Sequence, residues 1–98
     1  MDDKNYIQEI AEKIRQHFRS NELPKDGLSD LFNSYAVLAL TKGAAVTNED
    51  VHDAWAAWAA KYSPESDSLV PYDQLSKSVQ DEDSKFTAAI KEVAKTLR

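Results

Sequence analysis

Val46-Thr47-Asn48-Glu49-Asp50-Val51-His52-Asp53-Ala54-Trp55-Ala56-Ala57-Trp58-Ala59-Ala60-Lys61-Tyr62 is the stretch whose reading decides the fold. It holds both tryptophans and one of the two histidines. Thr47 reads as a helix N-cap, with Asp50 three residues on as the acidic half of a capping box. Val46 before the cap and Val51 after it suit a hydrophobic staple. Val51, Trp55, Trp58 and Tyr62 then fall on one helical stripe. Five alanines between them raise helix propensity and let a neighbouring helix approach closely. Ser63-Pro64 ends the element, so the spacing predicts a helix over 48–62.

On the N-terminal side, Tyr6, Ile7, Ile10, Ile14 and Phe18 recur at three and four and predict a helix over 4–19. Ser20, Asn21, Pro24 and Gly27 make the connector. Leu28, Leu31, Phe32, Tyr35, Leu38 and Ala39, widened by Val37 and Leu40, predict a second helix over 28–42 that is the most buried of the set. Gly43 stands where a glycine would end it. The short turn that follows makes the second and third helices packed neighbours.

On the C-terminal side, Pro71 stiffens Leu69-Val70-Pro71-Tyr72 into an extended segment, and Asp73-Gln74-Leu75 can add one helical turn. Phe86, Ala89, Ile90, Val93 and Leu97 predict a last helix over 83–97. Asp81 or Asp83 would cap it, and Lys91, Lys95 and Arg98 suit its C-terminal end. The expected architecture is all-α: a single domain over 1–98, four helices around one core, with the 63–80 segment laid across it.

Composition narrows the function classes. Ninety-eight residues make one domain with one core. Cysteine is absent, which excludes disulfides, thiolate metal sites and cysteine nucleophiles. No apolar run approaches the roughly 20 residues of a membrane span. The acidic start Met-Asp-Asp-Lys does not read as a signal peptide, and a cytoplasmic setting in the producing or host cell is expected. Net charge is −5. Residues 63–84 carry six acids and one base, whereas residues 85–98 carry four bases and one acid. A surface of this sign repels phosphate backbones, and the third helix offers only Lys61 as a cation, so no nucleic-acid partner is expected.

Candidate chemistry is sparse. His52 and Trp55, three apart, share a helix surface and can wall a small pocket; the simpler reading has Trp55 in the core and His52 orienting a loop. His17 reads as exposed or structural, near a helix C-terminus. Two histidines without metal-ligand spacing are a poor zinc signal. Asp81-Glu82-Asp83 lacks the glycine and closing glutamate of a calcium loop. With two glycines there is no phosphate-cradling loop, and no serine sits in a nucleophile elbow. Neither metal nor cofactor nor catalysis is expected.

The order His52, Trp55, Leu69-Val70-Pro71-Tyr72, Leu75 and then an acid opening an amphipathic helix resembles the ryanodine-receptor repeat. That module typically shows His-x-x-Trp, a connector, a Val/Ile-Pro-Tyr-x-x-Leu run and a closing helix. The matching positions are His52, Trp55, Val70, Pro71, Tyr72 and Leu75, with Asp83 looser, over residues 46–98; residues 1–45 would be an added helical pair. The connector here is short and lacks the Gly-Trp-aromatic-Gly element of the receptor repeats. The stretch Leu31–Tyr72 also resembles a compact group of uncharacterised proteins from actinobacteria and their phages. The resemblance implies a fold and a setting more than an activity.

A physical account of the motif stands beside it. Pro71 holds the segment extended, so Tyr72 can bury its ring and bond its hydroxyl to His52 or a backbone carbonyl. The segment would then clasp Trp55, and truncating Trp55 to alanine is expected to cost about 3–5 kcal/mol. The functional expectation is a non-enzymatic protein-interaction module. The alternative is a sensor of a nucleotide-like or aromatic small molecule. Either would use the groove between the third helix and residues 63–80, with His52, Trp55, Trp58, Pro71 and Tyr72 as its binding residues.

Overall fold

In the computed structural model, which describes residues 4–97, the first helix, α1, spans Tyr6–Arg15. Asn5 caps it: Asn5 Oδ1 accepts from the Gln8 N–H (2.9 Å) and Gln8 Oε1 accepts from the Asn5 N–H (3.0 Å). This capping box satisfies two backbone donors and fixes the start. α1 ends four residues earlier than its apolar spacing predicts, because the chain tightens there and the His17 N–H reaches back to the Ile14 carbonyl. Ile10, Ala11 and Ile14 are buried, but Tyr6, expected on the same stripe, is 66% exposed. Phe18 lies beyond the helix and still joins the core, stacked on Phe86 with ring centroids 4.5 Å apart.

After a 3₁₀ turn at Ser20–Glu22, α2 spans Leu28–Thr41. Leu31, Phe32, Tyr35, Ala36 and Ala39 face inward. Val37 and Leu40 are 45% and 41% exposed, so the buried face is narrower than predicted and Ala36 takes the place assigned to them. Gly43 closes the helix at φ +55°, a left-handed conformation that costs a glycine little.

A 3₁₀ turn, Gly43–Ala45, leads into α3, Asn48–Tyr62, whose limits are those predicted. The Thr47 capping box is in place: Thr47 Oγ1 accepts from the Asp50 N–H (3.1 Å) and Asp50 Oδ2 accepts from the Thr47 N–H (3.0 Å). Val46 and Val51, on either side of it, are both fully buried. The connector then passes Pro71 and a 3₁₀ turn at Tyr72–Gln74 before α4, Lys77–Lys95.

α4 starts six residues before the predicted boundary. Ser76 is its N-cap, accepting from the Val79 N–H, and Lys77 pairs with Asp81 one turn on at 3.0 Å. Asp81 and Asp83 are therefore interior helix residues and not caps. Arg98, expected at the C-terminal end, lies outside the described residues.

The four helices share one core, into which Phe18, Phe32, Tyr35 and Phe86 send their rings from α2, α4 and the end of the α1 connector. Burying such a ring contributes about 2–3 kcal/mol, so this cluster is a large share of the stability of a small domain. Among the described residues there is no strand, and no helix is long and apolar enough to cross a membrane.

Candidate functional site

The two tryptophans of α3 sit in different surroundings. Trp58 is clamped. Its indole N–H donates to the Gly27 carbonyl at 2.8 Å, and its ring stacks on Tyr62 at 5.3 Å. The Tyr62 hydroxyl donates to Asp30 Oδ2 at 2.5 Å, and that hydrogen bond raises the phenol pKa. Gly27, at φ +66°, lies so close that a Cβ there would fall 2.5 Å from Tyr62 Cζ and 2.7 Å from Trp58 Nε1. Trp58 therefore joins the start of α2 to the end of α3.

Trp55 stacks on His52, ring centroids 5.5 Å apart and planes 25° apart. His52 is 2% exposed, and its Nε2 lies 2.7 Å from the Val70 carbonyl oxygen. A carbonyl only accepts, so Nε2 carries a proton and donates. Two further bonds hold the connector. Asn48 Nδ2 donates to the Tyr72 hydroxyl at 3.4 Å, and Gln80 Nε2 donates to the Tyr72 carbonyl at 2.9 Å. The expected clasp is thus present in altered form: His52 bonds Val70, and the Tyr72 hydroxyl meets Asn48.

On its other side His52 Nδ1 stands 3.9 Å from Asp83 Oδ2, beyond hydrogen-bond range. That oxygen is buried and has no hydrogen-bond partner among the described residues. Burial raises the Asp83 carboxyl pKa, Glu82 adds to the rise, and His52 opposes it. Burial, with Asp83 nearby, also raises the Tyr35 phenol.

His52 and Asp83 form the floor of a half-open pocket of about 290 Å³ between α2, α3 and α4. Trp55, Trp58 and Phe86 give it aromatic walls, and Pro24 and Ser68 reach it from the two connectors. Glu22 and Glu82 are at its edge, and no lysine or arginine lines it. A wider cavity of about 630 Å³ beside Ala44, Ala45 and Ala94 has no buried titratable group in its wall. Among the described residues, no three His, Asp or Glu side chains converge as a metal site.

Of the sequence-derived site residues, His52, Trp55 and Trp58 line the pocket. Pro71 is exposed and Tyr72 is spent on holding the connector; neither lines it. The expected groove along residues 63–80 is replaced by a pocket to which that segment lends only Ser68 and Val79. Asp83 is the residue that sequence reasoning missed. With α4 begun at Lys77, Val79, Asp83, Phe86 and Ile90 form one stripe, and a carboxylate inside an apolar stripe is the signal that marks it.

A family model described as Domain of unknown function (DUF7701) matches residues 5–95. No curated protein and no solved structure matches the chain. This overturns the ryanodine-receptor resemblance, and it lends no support to the actinobacterial and phage setting. The matched unit takes in all four helices and does not begin at residue 46. His52, Trp55, Val70 and Tyr72 co-occur because they bond and stack locally, which explains the motif without that kinship. The chain belongs to the DUF7701 family.

Proposed function

We propose that the chain is a non-enzymatic binding module whose recognition site is the pocket beneath Trp55. The occupant is one small group: the end of a side chain presented by a partner protein, or a free molecule of that size. The carrying observation is the buried Asp83 oxygen without a partner in the floor of an aromatic-walled cavity. A buried polar atom left unpaired costs about 1–3 kcal/mol, and a donor brought against the Asp83 carboxylate would offset part of that cost. The volume stands at the lower end of the roughly 300–1,000 Å³ range of small-molecule pockets, which favours a compact occupant. Catalysis is disfavoured because Nε2 of His52 is committed to Val70, leaving no base–nucleophile pair in reach. The three carboxylates argue against a nucleotide-like ligand, so that part of the alternative is not carried forward.

An NMR screen of small neutral, cationic and anionic aromatic fragments against the full ¹⁵N-labelled chain tests this. Binding should shift the Trp55 indole and the Ser68 and Val79 amides together. A screen in which no fragment perturbs those signals at millimolar concentration would remove the proposal.

A further inference from the structure

Resting on that reading of the pocket, we infer that its ligand is an organic cation, a primary ammonium on an apolar stem, held at the Asp83 carboxylate with its stem against Trp55.

The sign of the charge follows from what lines the site. Asp83, Glu82 and Glu22 contribute three carboxylates, and the only basic group is His52. The Asp83 side chain is 16% exposed and lines the pocket, and its buried Oδ2 lies 3.9 Å from His52 Nδ1. Low-dielectric aromatic walls strengthen the field there. An anion entering here would meet three like charges, and a neutral alcohol would leave the carboxylate uncompensated. An ammonium supplies both a charge and up to three donors. The indole of Trp55 is the best ring type for a cation to lie against.

The floor also couples binding to a proton. With Nε2–H donating to Val70, a neutral His52 turns its Nδ1 lone pair toward Asp83, acceptor against acceptor across 3.9 Å. A proton on the Asp83 carboxyl relieves that apposition. The other titratable groups facing the floor are Tyr35 from α2, Glu22 from the first connector and Glu82 from α4. A bound ammonium stabilises the ionised form of the Asp83 carboxyl, whose pKa burial raises. Affinity for the cation therefore falls as pH is lowered and the Asp83 carboxyl takes up a proton.

Calorimetry and NMR titration of the full chain with four probes test this: phenethylamine, phenethyl alcohol, phenylacetate and Nα-acetyl-lysinamide. The expected order is amine over alcohol by at least about tenfold, with phenylacetate weakest, as one charge-assisted contact at a partly buried site implies. Repeating the amine titration at a lower pH should weaken binding, in the direction set by the raised Asp83 carboxyl pKa. Asp83→Asn should weaken the amine about tenfold and leave the alcohol within about twofold. Tighter binding of Nα-acetyl-lysinamide than of phenethylamine supports the inference and makes a partner's lysine the source; the reverse order supports it with a free amine as the source. If alcohol or phenylacetate binds as well as the amine, the cation inference is wrong while the pocket reading stands. If no probe binds, both fall. The ladder of probes on the unaltered chain decides the matter even where Asp83→Asn folds poorly.

Discussion

Trp58 and Trp55 are one helical turn apart on the same helix, and the molecule treats them in opposite ways. Around Trp58 the polar groups are answered: indole to Gly27, Tyr62 to Asp30, with Lys61 Nζ 4.0 Å from that same carboxylate. Around Trp55 the ring rests on a histidine whose outward neighbour is a carboxylate oxygen with no partner among the described residues. A satisfied cluster stabilises and specifies; an unsatisfied one is a standing free-energy cost that a stable fold tolerates when something else depends on it. The contrast separates a structural tryptophan from a candidate binding tryptophan where residue type alone would class them together.

The largest test strikes the satisfied end. Gly27→Ala puts a Cβ 2.5 Å from the Tyr62 ring and forces alanine to a left-handed φ. Backbone strain and overpacking together should cost about 3 kcal/mol, read as a lowered urea midpoint with an unchanged slope. A loss below about 0.5 kcal/mol, the size of an ordinary surface change, would mean the clamp is loose and the contrast overstated. Next comes Trp58→Phe, which keeps a ring and removes the donor to the Gly27 carbonyl; it should cost about 1–2 kcal/mol. The same change at Trp55, where stacking on His52 survives, should cost less. Equal losses at the two positions would erase the distinction.

How far this contrast was legible in the sequence depends on the signal each residue carries. The α3 boundaries and the Thr47–Asp50 box were readable because a cap is local chemistry within four residues. Gly43 was readable for the same reason. The start of α4 was not: Lys77-Ser78-Val79-Gln80-Asp81-Glu82 has one apolar residue in six, and its helicity comes from the Ser76 cap, the Lys77–Asp81 pair and packing on α3. Misplacing that start hid Asp83, since a carboxylate expected as a cap is not sought in a core stripe. Gly27 read as a breaker, which it is. Nothing in the sequence says that its missing Cβ makes room for an indole and a phenol 31 and 35 positions away. Such long-range contacts are set by tertiary packing, and local pattern carries no record of them.

Asp83→Asn should go the other way from the clamp variants. Removing a buried, unpartnered charge while keeping the side chain's shape should stabilise the fold by about 1 kcal/mol near neutral pH. Burial raises the Asp83 carboxyl pKa, so folding shifts it toward its neutral form relative to the unfolded chain. Its penalty is present above that raised pKa and disappears as pH falls below it. The advantage of the asparagine variant should therefore shrink on acidification. A variant that is less stable than the parent at neutral pH would show that the Asp83 charge is well compensated, and the unsatisfied end would lose its defining feature.

The smallest effect has the opposite pH signature and comes from a carboxylate on the same helix as both tryptophans. The Thr47 backbone N–H, above all, lowers the Asp50 pKa, with Thr47 Oγ1 and Lys42 (3.6 Å) adding to it against some desolvation. A lowered carboxylate contributes stability above its unfolded pKa and loses it as pH falls through the folded value. Thr47→Ala should cost about 1 kcal/mol at neutral pH. Its loss should fall on the N-terminal turn of α3, which carries Asn48 and His52 and not Trp58. Hydrogen exchange should then quicken at the Val51 and His52 amides and stay unchanged at Lys61 and Tyr62. If the two ends loosen together, α3 opens as one unit and the two tryptophans share a single stability. If only the first turn loosens, the pocket end is the softer half of the helix, and a ligand there has a fluctuation to quench.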